Sequence, residues 1–234
     1  MSQESLLPRV QLEVKGLTKT FKDGPIETHV LKGIDLSVSD GEFIAIMGRS
    51  GAGKSTLLYQ MSLLDEPSSG EIRINGKEAH LMSEHEKMLF RLTEFGYVFQ
   101  DYALLPELTA LENVALPLYM QGTTRNAAEE KAAEALRKVG LGNRLGNLPS
   151  QLSGGEQQRV SISRAIAHTP DILFADEPTA NLDLESSTTV MNIFKELHAG
   201  GQTIIMVTHE EEFSQFAQRI VKIDEGKILS DTRM

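Results

Sequence analysis

Gly48-Arg49-Ser50-Gly51-Ala52-Gly53-Lys54-Ser55-Thr56 follows directly on the apolar run Phe43-Ile44-Ala45-Ile46-Met47. The spacing is G-x-x-x-x-G-K-[ST], a loop whose glycines let backbone N–H groups close around phosphates while the lysine adds a fixed charge and the hydroxyl reaches Mg²⁺. A continuous apolar run is the pattern of a strand buried on both faces, and Ser55 to Met61 continues as a helix. That helix start aims its free N–H groups and positive dipole end at the phosphates. A nucleotide-binding site at Gly48 to Thr56 is the first expectation.

Outward from this loop the pattern changes twice. Val10-Gln11-Leu12-Glu13-Val14 and Ile34-Asp35-Leu36-Ser37-Val38 alternate with period two, which predicts half-buried antiparallel strands. Gly70 to Gly76 reads as a hairpin around the Asn75-Gly76 turn. Ala127 to Val139, rich in Ala, Glu, Lys and Leu and closed by Gly140, predicts a helix. We expect a mainly helical insertion over about 101–150, between two halves of an α/β core at about 10–100 and 151–229, all within one domain spanning 1–234. Beyond it, Asp171 to Ala175 and Thr203 to Val207 are apolar runs of parallel-strand type, separated by a helical stretch from Ser186 to His198. Ile220 to Ile223 and Lys227 to Leu229 form a closing hairpin, and Glu210-Glu211-Glu212 suits a helix start through the dipole.

Composition bounds the function. The 234 residues are 40% hydrophobic and 24% charged, with no cysteine, so neither disulfides nor thiol chemistry enter. A net charge of −10 offers no overall footprint for a phosphate backbone, and no nucleic-acid partner is expected. Met1 to Pro8 lacks the basic start and apolar core of a signal peptide, so a cytoplasmic location is expected.

Two further constellations carry chemistry. Ile172-Leu173-Phe174-Ala175-Asp176-Glu177 places two acids at the end of a buried strand, where ligands of open α/β sheets sit. Asp176 is the candidate Mg²⁺ ligand and Glu177, one residue on, the candidate general base. Leu152-Ser153-Gly154-Gly155-Glu156-Gln157-Gln158 has capping-box spacing, yet it also offers glycine N–H groups and a hydroxyl at a helix start, a second phosphate-binding surface.

With these motifs in this order, the sequence from about Val10 to Leu229 resembles the ATPase subunits of ATP-binding cassette (ABC) transporters. The resemblance implies an α/β fold, a P-loop ABC ATPase with a RecA-like core, an antiparallel β subdomain and a helical subdomain. It makes Leu152 to Gln158 the signature, Gln100 the glutamine loop, Asn181-Leu182-Asp183 the D-loop and His209 the switch histidine. Phe21 matches the adenine-stacking aromatic of the family. By the same resemblance, ATP and Mg²⁺ are the cofactors, and Ser55, Gln100 and Asp176 surround the metal. Two copies sandwich ATP between Gly48 to Thr56 of one and Ser153-Gly154-Gly155 of the other, with Glu177, His209, Gln100 and Asp183 serving hydrolysis. A transmembrane permease is implied as a second partner, which places the chain peripherally on the cytoplasmic side of the inner membrane.

Tyr97 to Leu118 resembles the corresponding stretch of the MacB/LolD subgroup, which serves lipoprotein release and macrolide or peptide efflux. A cell-division ATPase resembling FtsE, signalling through a membrane partner, uses the same parts and stays open as an alternative. A soluble ABC ATPase of DNA repair or translation is disfavoured by the single cassette, the absence of cysteine and the acidity.

Overall fold

A computed structural model describes residues 9–234; the reading of Met1 to Pro8 lies outside them. Two sheets organise the chain. The antiparallel one has the order β2-β1-β4-β5, with β1 at Val10–Asp23, β2 at Ile26–Ser39, β4 at Ser69–Ile74 and β5 at Lys77–Glu78. The other has the order β10-β9-β3-β8-β7-β6, from β3 (Phe43–Met47), β6 (Phe95–Val98), β7 (Ile172–Asp176), β8 (Thr203–Thr208), β9 (Arg219–Asp224) and β10 (Lys227–Arg233). Strands β9, β3, β8, β7 and β6 run parallel, and β10 closes the sheet as an antiparallel edge.

The apolar runs are continuous because both faces of this sheet are covered. Phe43, Ala45, Leu173, Ala175, Ile204 and Met206 enter one core. The alternate residues Ile44, Ile46, Ile172, Phe174, Ile205 and Val207 enter the other. Period-two alternation therefore distributes one strand between two cores. The first core is completed by helices α3 (Ala110–Met120), α4 (Arg125–Lys138), α5 (Gly154–Ile166) and α6 (Leu184–Ala199). The second is completed by α1 (Lys54–Met61) and the antiparallel sheet. The buried side chains of α3 and α4 are continuous with those of α5 and β3, so the helical segment shares its core with the sheet.

Two features differ from the sequence reading. Strand β1 continues nine residues past Val14, because register shifts around Gly16 let the ladder bend without ending. Gly16 sits at φ +56° and its N–H donates to Asp35 Oδ1 at 2.7 Å, a conformation a glycine adopts cheaply. Helix α2 (Glu84–Thr93) was not expected, yet its start was legible: Ser83 and Glu86 form a reciprocal capping box. The same device opens α3 at Thr109 and Glu112. The last helix, α7 (Glu211–Ser214), is a single turn after β8.

Candidate functional site

The site forms where β3, β7 and β8 end side by side. The loop between β3 and α1 leaves the sheet there, and its glycines are dictated by space as well as by φ. A Cβ on Gly48 would lie 2.2 Å from the Ile223 carbonyl oxygen of β9. Gly53, at φ +98°, has Leu31 Cδ2 at 2.9 Å and the Val30 oxygen at 3.0 Å from the same position. The loop is thus wedged between β2 and β9, which fixes its curvature before any ligand arrives. Gly51 (φ +78°) supplies the remaining left-handed residue. Arg49, Ser50 and Gly51 form the exposed crest, whereas Ala52, Gly53 and Lys54 are buried and Ser55 and Thr56 half-buried at the start of α1.

Lys54 is only 5% exposed, and its Nζ donates to the Arg49 carbonyl at 3.1 Å inside the loop. It also lies 3.6 Å from Glu177 Oε1. The other carboxylate oxygen, Oε2, is 3.1 Å from His209 Nδ1. Glu177 therefore sits between a lysine from the phosphate loop and a histidine from the end of β8. Its backbone adopts φ +45°, unusual for a residue with a side chain, and is held there by its N–H donating to the Val207 oxygen at 3.0 Å. An open cleft of about 800 Å³ joins Gly48, Arg49, Ser50, Lys54, Glu177 and His209, with Lys222 and Asp224 on its far wall.

One residue earlier, Asp176 is 4% exposed and accepts from Ser55 Oγ at 2.8 Å. Burial pushes its carboxyl pKa upward, opposed by hydrogen bonds from Ser55 and Tyr59. Tyr59 on α1 is a site neighbour that the sequence reading missed. Burial and the Asp176 carboxylate together raise its hydroxyl pKa. A hydroxyl and a buried carboxylate meeting between the start of α1 and the end of β7 form a set of hard oxygen donors, which suits Mg²⁺. The donor set fits; Gln100, the third expected metal neighbour, is exposed beyond β6, and its backbone oxygen accepts from Asn181 Nδ2 at 2.9 Å.

The other phosphate-type surface lies at the start of α5. Ser153 Oγ accepts from the Glu156 N–H at 3.3 Å while Glu156 Oε2 accepts from the Ser153 N–H at 2.9 Å. Arg144 holds Glu156 Oε1 at 3.0 Å. Leu152 is buried, and Gln157 Nε2 donates back to its oxygen at 3.1 Å. Gly155 faces α6 so closely that a Cβ would meet Ser186 Oγ at 2.6 Å. Asp183 caps α6 through the Ser186 N–H at 2.8 Å, and that bond lowers its pKa. Ser153 and Asp183 are both exposed. None of residues 152–157 lines the cleft at Lys54.

Residues 31–180 of the chain match the ABC transporter family. The chain belongs to that family. As an ABC ATPase it is 48% identical over 202 residues to the lipoprotein-releasing system ATP-binding protein LolD of Aquifex aeolicus, covering 86% of this chain and 90% of that one. It is 46% identical over 222 residues to the macrolide export ATP-binding/permease protein MacB of Aggregatibacter actinomycetemcomitans, covering 95% of this chain but 34% of MacB. In three dimensions it is similar, with TM-score 0.89 and 37% identity, to a dimeric post-hydrolysis state of the ATP-binding cassette MJ0796 bound to ADP and Pi. That likeness covers 95% of this chain and 98% of the other. The fold of this ABC ATPase is thus the P-loop cassette with its α/β core, antiparallel sheet and helical segment, and its chemistry is ATP hydrolysis.

The cassette places Phe21 apart from the cleft lining. Its ring is 48% exposed on β1, with Lys19 Nζ 5.0 Å from the centroid. Phe21 pairs with Thr28, two residues before the Val30 that bounds Gly53, so the ring sits on the hairpin flanking the phosphate loop.

Proposed function

We propose that this ABC ATPase subunit powers a separate membrane permease, in an export or lipoprotein-, peptide- or macrolide-type system of the MacB/LolD kind, from the cytoplasmic side of the inner membrane. The observation that carries the catalytic part is the contact of Glu177 with both Lys54 and His209 at the mouth of the phosphate loop. Among the described residues, no helix is long and apolar enough to cross a membrane, which suits a partner supplying the translocation path.

In this reading Gly48 to Thr56 wraps the phosphates and Lys54 turns from Glu177 to the β- and γ-phosphates. Phosphate negative charge competes for that lysine, leaving Glu177 free to take a proton from the attacking water. The water oxygen bonds to the γ-phosphorus, the bond to the β–γ bridging oxygen breaks, and ADP and phosphate leave. His209 holds the Glu177 carboxylate in position and faces the γ-phosphate. Ser55 and Asp176 would hold Mg²⁺, which offsets the charge developing on the phosphate oxygens. Gln100 reaches in from its loop, and Phe21 stacks on the base. Ser153, exposed, and Gly154, half-buried, with the buried Gly155 behind them at the helix start, complete the site on a second copy, where Asp183 also contributes.

Replacing Glu177 with Gln keeps the shape and removes the base. Turnover should fall by roughly 10²- to 10⁴-fold while ATP binding persists and an ATP-dependent dimer accumulates. Steady-state phosphate release and light scattering measure the two; parental turnover in the variant would rule out the general-base role.

A further inference from the structure

Between the catalytic cleft and the start of α5 lies a connection that the hydrolysis scheme does not use. Just after Gln100, two consecutive non-glycine residues adopt left-handed backbone, Tyr102 at φ +63° and Ala103 at φ +47°. Such backbone persists only where its surroundings over-determine it. Here the surroundings are Arg164 of α5, whose Nη2 donates to the Tyr102 oxygen at 3.0 Å and whose Nη1 donates to the Ala103 oxygen. Burial pushes the Arg164 pKa down, so these two carbonyls are what compensate its guanidinium.

The Tyr102 side chain then returns toward the opposite end of the same helix. Its hydroxyl donates to the Asn181 oxygen at 3.4 Å and lies 3.0 Å from where a Cβ on Gly154 would be. Asn181 in turn donates to the Gln100 oxygen. Arg164 and Gly154 are ten residues apart on one helix, a rise of about 15 Å, so α5 is the rigid bar across which Tyr102 and Arg164 are strung.

We propose that Arg164 and Tyr102 are positioning residues that lock the Gln100 loop to the segments carrying Ser153 and Asp183. Movement of Gln100 on nucleotide binding then resets the surface offered to a second copy of this chain. The inference rests on the dimeric reading above, and two measurements separate them.

The first is hydrogen exchange on the Glu177→Gln protein with and without Mg-ATP, at concentrations where it is monomeric. Mg-ATP should slow exchange in both 100–103 and 153–156; adding Arg164→Lys should confine the response to 100–103. Coupled responses surviving in Arg164→Lys would overturn the lock whether or not dimers form. The second is ATP-dependent dimerisation in the same background. Arg164→Lys should raise the dimer Kd about tenfold, as loss of paired charge-assisted bonds would. Tyr102→Phe, which deletes one hydroxyl and keeps the ring, should raise it about threefold. Binding of a fluorescent ATP analogue to monomer should stay within about twofold of the background in both, as no phosphate contact is removed. If Arg164→Lys melts early, Tyr102→Phe decides: dimerisation equal to the background at an equal Tm would overturn the proposal. Absence of ATP-dependent dimers in the background itself would instead count against the functional reading.

Discussion

The two candidate phosphate loops of this chain are built on opposite plans. Gly48 to Thr56 is wedged between β2 and β9, and three side chains from two strand ends converge on it: Asp176 and Glu177 from β7 and His209 from β8. Ser153 to Glu156 is folded by its own capping box and by Arg144, and its serine faces outward. The first loop gathers Lys54, Glu177 and His209 within one chain; the second has its shape assembled there, and the proposed reading puts its reacting partners on a second copy. A loop at the carboxyl end of a parallel sheet receives neighbours from adjacent strands at ~4.8 Å spacing. The start of α5 has no such row of strand ends beside it, and its neighbours Arg144, Tyr102 and Ser186 hold its shape.

That contrast can be broken most severely at Lys54. Replacing it with Ala removes the charge proposed to meet the phosphates and leaves Glu177 without its lysine neighbour, so nucleotide affinity of the isolated chain should drop at least about tenfold. Titration with a fluorescent ATP analogue checks this; unchanged affinity would mean the loop does not grip phosphate through Lys54.

Ser153→Ala probes the other plan. Monomer nucleotide affinity should be untouched, while loss of the N-cap costs about 1 kcal/mol and lowers Tm by about 2–4 °C. Scanning calorimetry reads the cap, and in the Glu177→Gln background weakened ATP-dependent dimerisation reads the shared site. A fall in monomer affinity would show that the two loops meet within one chain.

The smallest effect concerns pH. Hydrogen bonds from Ser153 hold the Glu156 carboxyl below its ordinary value of 4.5. A depressed folded-state pKa stabilises above the unfolded value and loses that contribution as pH falls through the folded one. The Tm difference between the parent and Glu156→Gln should therefore be full above about pH 5 and shrink below about pH 4.5. A difference that stays constant to pH 3 would remove Glu156 from the account of the cap.

The legibility of the chain follows the same division. Strand type was readable at Phe43 to Met47 and in Ile172 to Ala175 of the Asp171 to Ala175 stretch, because burial on both faces writes an unbroken apolar run into four or five residues. Caps are equally local, and Ser83 with Glu86 announced a helix that the reading passed over. The extent of β1 was not readable, since whether Gly16 ends a strand or bends it depends on Asp35, which accepts its N–H across the ladder. Tyr59 was missed for a related reason: its setting beside Asp176 comes from a strand more than a hundred residues away.

By itself the sequence determined the glycine-rich loop of Gly48 to Thr56, the two acids at a strand end and the capped glycine start of α5. Each is a spacing within fewer than ten residues, where backbone hydrogen bonding and side-chain period act directly. Only the tertiary structure decided that Ser55 meets Asp176 across 121 residues of sequence, that Glu177 stands between Lys54 and His209, and that Arg164 holds Tyr102 and Ala103. Those contacts depend on strand order and helix packing, which bring distant residues within hydrogen-bonding range only after both faces of the sheet are covered.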